Sequence, residues 1–141
     1  MSTRVLGPTE LRLDVSPELP FAEPAHISAS LHLPDLAASV PRAVLICWPG
    51  GSYGRAYWDM HIAGYQGYSF AEHMTAQGFA VVGADHLGVG ASSKPAEGDK
   101  VDFDTMSAAA DAFTFSESRE IAAKGIPQPV RVVLVDWRSP G

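Results

Sequence analysis

The sequence predicts an α/β fold: an antiparallel amino-terminal meander leading into a mostly parallel sheet with flanking helices. Three observations predict it. Two early segments alternate apolar and polar residues, which is the period of half-buried strands. Three later segments, 43–48, 79–84 and 130–135, are predominantly apolar runs, as strands buried on both faces are. Helix signals lie between these runs, and strand, helix, strand at this spacing forms a βαβ unit with a right-handed crossover.

Thr9 to Val15 alternates Leu11, Leu13 and Val15 with Glu10, Arg12 and Asp14. Pro17, Pro20 and Pro24 then mark a loop. His26 to Leu33 alternates again, with Ile27, Ala29, Leu31 and Leu33 on one face and His26, Ser28, Ser30 and His32 on the other, solvated one. Ala43 to Trp48 reads as a central strand ending at the turn Pro49-Gly50-Gly51-Ser52-Tyr53-Gly54. Arg55 to Gly67 is aromatic and glycine-rich, an irregular loop or a short helix. Ser69-Phe-Ala-Glu72 fits a capping box at a helix start, with Phe70 and Met74 on the buried stripe. Gly78 suits the helix end, and the strand Phe79 to Ala84 follows.

Lys94 to Asp104 is polar and turn-rich. Thr105 to Lys124 is expected to be helical, with Met106, Ala110, Phe113 and Ile121 inward. Thr114 to Ser118 contains weak helix formers, so one broken helix and one continuous helix both fit. Gly125 and Pro127 stop it, and Val130 to Val135 is the next central strand.

Composition excludes several classes. With 46% apolar and 18% charged residues, the 141-residue chain suits one globular domain rather than a disordered one. A net charge of −6 without a basic cluster argues against nucleic acid or a membrane surface as partner. No apolar run reaches the ~18 residues of a membrane span. The amino terminus lacks the apolar stretch of a signal peptide, so a cytoplasmic location is expected. The single cysteine, Cys47, has no disulfide partner in the chain and reads as a buried structural thiol.

Gly78-Phe79-x-Val81-Val82-x-x-Asp85-His86-x-Gly88-x-Gly90-x-Ser92 resembles the fourth-strand segment of the α/β-hydrolase superfamily. The order of elements, opening with an antiparallel meander, is similar to the front half of that family's domain. The resemblance implies a partial α/β-hydrolase fold, with residues 1–141 as the amino-terminal part of a single domain. It implies a serine-type hydrolase of an ester, amide or similar small-molecule bond, with this chain truncated and inactive alone. Pro49 to Ser52 occupies the position of the family's oxyanion loop, where backbone N–H groups of Gly51 or Ser52 would hold a tetrahedral intermediate's negative oxygen. The family often has His-Gly there; this chain has Pro49-Gly50.

Gly50-Gly51-Ser52-Tyr53-Gly54 also satisfies the Gly-x-Ser-x-Gly pattern of a nucleophile elbow. That reading is disfavoured, because no histidine lies beyond His86 to serve as a downstream base. The family's elbow is expected after Val130 to Val135, where the chain has Trp137-Arg138-Ser139-Pro140-Gly141. Ser139 is a degenerate nucleophile position, since Pro140 has no N–H for the second oxyanion donor.

Gly88-Val-Gly90-Ala-Ser-Ser93 imitates a dinucleotide fingerprint but lacks its third glycine, so no cofactor is expected. Asp59, His61, His73, Asp85 and His86 match no metal-ligand spacing, and Asp85 is expected to brace its turn. The expected partners are a small-molecule substrate in the full-length relative and, through an exposed sheet edge, a second copy of the chain. A non-catalytic binding module using Tyr53, Tyr57 and Trp58 is the alternative.

Overall fold

The computed structural model describes residues 7–37, 40–111, 115–121 and 130–135. Four strands form one mixed sheet in the order β1-β2-β4-β3: β1 Thr9–Asp14, β2 His26–His32, β3 Val44–Cys47 and β4 Ala80–Ala84. β1 runs antiparallel to β2, with Thr9 opposite Leu31 and Asp14 opposite His26. β2 is antiparallel to β4, and β3 with β4 is the single parallel pair among the described strands.

The expected partial α/β-hydrolase fold, with its mostly parallel sheet and flanking helices, is therefore corrected. The described helices are two, α1 Phe70–Ala76 and α2 Phe103–Ala110, with short 3-10 turns at Ser16–Glu18, Arg55–Asp59 and Gly98–Lys100. The helix expected over 105–124 ends early. Its alanine-rich start forms α2, capped by Asp102, whose carboxylate accepts from the Thr105 amide at 2.9 Å. Phe115–Ile121 is instead a strand, β5, where Phe115 and Ile121 suit extended backbone and the two serines weaken a helix. It pairs antiparallel with β6, Val130–Val135, in a separate two-stranded sheet. Val130–Val135 is thus no central strand of the main sheet.

β3 corrects a second expectation. Its apolar run predicts a central strand, yet among the described residues it has one neighbour, and Val44, Leu45 and Ile46 are only half-buried. An apolar run reports that both faces are covered; it does not report how many strands flank it.

β4 is the middle of the molecule, with all five residues buried. Its alternation divides the core. Val82 and Ala84 join Val15, Leu19, Ala25, Ile27, Ala29, Leu87 and Ala109 of α2 on one face. On the other, Val81 meets Cys47 and Ala71, with Leu45, Trp58, Phe70 and Met74 packed around them. Burial among these side chains pushes the Cys47 thiol up to about 11, so it is protonated and a poor nucleophile near neutral pH.

α1 forms where the sequence predicts. The Ser69 hydroxyl accepts from the Glu72 amide at 3.1 Å. At the other end Gly78 takes φ +89°, and the Gly78 and Phe79 amides donate to Thr75 and Met74 carbonyls.

Candidate functional site

The carboxyl ends of β3 and β4 lie side by side, so the loop after β3 and the turn after β4 meet. The β3 loop reverses at once: the Tyr53 amide donates to the Gly50 carbonyl at 3.1 Å. Ser52 sits at φ +70°, the only non-glycine with positive φ among the described residues. Positive φ at the third of four turn positions marks a type II turn, which favours glycine there. Gly51 and Ser52 are exposed, and among the described residues neither amide donates a hydrogen bond. The two adjacent amides form the rim of the loop, without an acceptor among the described residues.

His86 fixes the base of this loop. Its Nε2 lies 2.8 Å from the Pro49 carbonyl, and its ring stacks on Trp48 with centroids 5.0 Å apart. A carbonyl only accepts, so Nε2 carries the proton.

Asp85 holds the neighbouring turn, as expected, and it also reaches back across the sheet. The residue is 3% exposed. Its Oδ1 accepts from the Arg55 amide at 2.7 Å and its Oδ2 from the Ala91 amide at 3.1 Å. The Arg55 Nε is 3.6 Å from Oδ2, and the same guanidinium pairs with Glu10 at 2.6 Å. Gly90, at φ +55°, is required here: a Cβ on it would stand 2.5 Å from the Asp85 carboxyl. The second glycine of the supposed dinucleotide fingerprint, Gly90, thus makes room for a carboxylate of this chain, and no helix opens directly after it.

The small hydroxyl residues pin the turn to β2. Ser92 Oγ donates to the Asp85 carbonyl at 2.7 Å and accepts from the Ser28 amide at 2.9 Å. Ser93 Oγ accepts from the His26 amide at 2.9 Å and lies 2.8 Å from His26 Nδ1. The other ring nitrogen, Nε2, lies 3.0 Å from the Ala91 carbonyl, which makes Nε2 the protonated one and Nδ1 the acceptor. His26 is therefore half-buried and structural, not a solvated strand residue. Ser93 and His26 resemble a nucleophile and base, but β4 separates β2 from β3. Two strand spacings, about 9–10 Å, keep this pair from sharing a reacting atom with the Gly51–Ser52 rim.

Of the expected site residues, Gly51 and Ser52 form that rim, and Ser139 lies outside the described residues. A grouping that spacing hid is Asp59, His61 and Glu72, whose donor atoms all lie within 4.8 Å of one another. His61 Nε2 is 2.8 Å from Asp59 Oδ1 and 3.8 Å from Glu72 Oε1. Ser69 Oγ donates to Asp59 Oδ1 at 2.6 Å. Burial alone would raise the Asp59 carboxyl, but the bonds from Ser69 and His61 and the charges of His32 and His61 hold it below its ordinary value. Half-burial lowers the nearby His32 in turn, against the pull of Asp59, Glu10 and Glu72.

Comparison of the sequence with known proteins finds no matching family model and no matching curated protein. Among the described residues, no helix is long and apolar enough to cross a membrane.

Proposed function

We propose that this chain carries the oxyanion-holding part of a serine-type hydrolase acting on an ester, amide or similar small-molecule bond. The observation that supports the reading is the β3 loop: a turn held at its base by His86, with the exposed Gly51 and Ser52 amides left without an acceptor among the described residues at the end of a parallel strand pair. Preorganised N–H groups of this kind stabilise a tetrahedral oxyanion without reorganising during reaction. The motif resemblance supplies the reaction class. On this reading the nucleophile, base and acid would come from outside the described residues. A cytoplasmic setting fits a chain whose one cysteine is buried and free. The open side of β3 is where self-association by strand pairing would occur.

Gly51→Pro tests the rim directly. Gly51 is the second turn residue, where proline is favoured, so the turn persists while one donor is deleted. In the protein isolated from its native source, kcat on a small activated ester should fall about 10²–10³-fold with KM little changed. Equal kcat in the variant, or no ester hydrolysis by the parent, overturns the reading.

The alternative, a binding module, draws on Tyr53 and Tyr57, which are exposed and in contact at 5.6 Å beside the same loop. Such a module would leave ester hydrolysis absent and lose its ligand on Tyr57→Ala.

A further inference from the structure

We propose that Asp59, His61 and Glu72 form a binding site for one first-row divalent cation of the zinc class. The three side chains come from different places: Asp59 ends a 3-10 turn, His61 lies in the following loop, and Glu72 stands in the first turn of α1. Two carboxylates and one imidazole make the mixed oxygen and nitrogen set that suits zinc and its neighbours rather than magnesium or calcium.

Several features of the local structure favour a ligand role over a chance meeting. Asp59, with its side chain 25% exposed, is oriented by the Ser69 hydroxyl, as ligating carboxylates commonly are by a neighbouring hydrogen bond. Glu72 departs from the capping-box pattern. Ser69 caps the Glu72 amide, but among the described residues the Glu72 carboxylate makes no return bond to the Ser69 amide and stands near His61 instead. His61 and Glu72 side chains are 61% and 59% exposed, so both can shift. A tetrahedral site with bonds of about 2.0–2.1 Å places donors about 3.3 Å apart. The His61 pairs, at 2.8 and 3.8 Å, bracket that spacing. A groove of about 340 Å³ lined by His61, Ser69, Glu72, Tyr65 and Tyr68 adjoins the cluster and leaves room for water or an exogenous fourth ligand.

A protonated His61 bridging the two acids would give similar distances, and calorimetry separates the two cases. Metal-stripped full chain is titrated with zinc ion at pH 7.5, with circular dichroism confirming the fold of each variant. One cation per chain should bind, and affinity should fall at least tenfold in both His61→Ala and Glu72→Gln. His73→Ala, altering an exposed histidine outside the cluster, should bind as the parent does. Binding should also weaken with falling pH, because protons compete with the cation for the same ligand atoms. No binding at millimolar zinc, unchanged affinity in either cluster variant, or loss in His73→Ala overturns the site.

Discussion

Asp85, just after β4, and Asp59, the last residue of a 3-10 turn, are both acids at the ends of secondary-structure elements, and they have opposite surroundings. Asp85 is enclosed: two backbone N–H groups, the Arg55 guanidinium and the bare Cα of Gly90 fill the space around its carboxylate. Its bonding capacity is used within the fold. Asp59 is bonded on one oxygen by Ser69 and by His61, and Glu72 stands nearby; the His61 and Glu72 side chains are mostly exposed. The difference teaches that a carboxylate beside a glycine-rich turn can be wholly architectural, while a less conspicuous one in an aromatic loop keeps coordination capacity.

Removing Asp85 should therefore have the largest effect. Asp85→Ala leaves the Arg55 and Ala91 amides and part of a guanidinium without their acceptor, at a cost of about 3 kcal/mol or more. Gly90→Ala should be of similar severity, since its Cβ has no room beside the carboxylate. Urea denaturation of the double variant then sharpens the comparison. Its loss should be clearly less than the sum, because the clash disappears with the carboxylate. Strict additivity would mean that Asp85 does not fill that space.

A smaller effect is expected at Ser69→Ala. The α1 cap is lost, at about 1 kcal/mol, together with the bond that helps to lower Asp59. A lowered folded-state carboxyl contributes stability above the unfolded value, about 3.9, and loses it as pH falls through the folded value. The Ser69→Ala midpoint of acid unfolding should accordingly move to higher pH, read by circular dichroism between pH 2 and 6. A midpoint that stays put would show that Asp59 is held by other groups.

Much of the main sheet was legible because period-2 alternation and apolar runs answer to burial. Leu11 to Val15, Ile27 to Leu31 and Val81 to Ala84 lie in or beside the strands those patterns predict, and Ser69 caps its helix. Neighbour relations were not legible. Nothing in Val44 to Cys47 distinguishes an edge from a central strand. Nothing in Ala108 to Ala110 tells how soon a helix must yield to Phe115–Ile121, where propensity is weak either way. The Asp85 brace was foreseeable from an acid before glycines, but its longer reach to the Arg55 amide depends on where the β3 loop returns. The Asp59, His61 and Glu72 grouping was hidden for the same reason: the loop between His61 and Ser69 must close before Glu72 comes near.

The proposed reaction class is tested most directly by covalent labelling. The protein isolated from its native source is treated with a fluorophosphonate and its intact mass measured. One adduct per chain is expected, forming more slowly in Gly51→Pro because the rim also stabilises the phosphorylated serine. No adduct, under conditions that fully label a known serine hydrolase, would contradict the hydrolase reading.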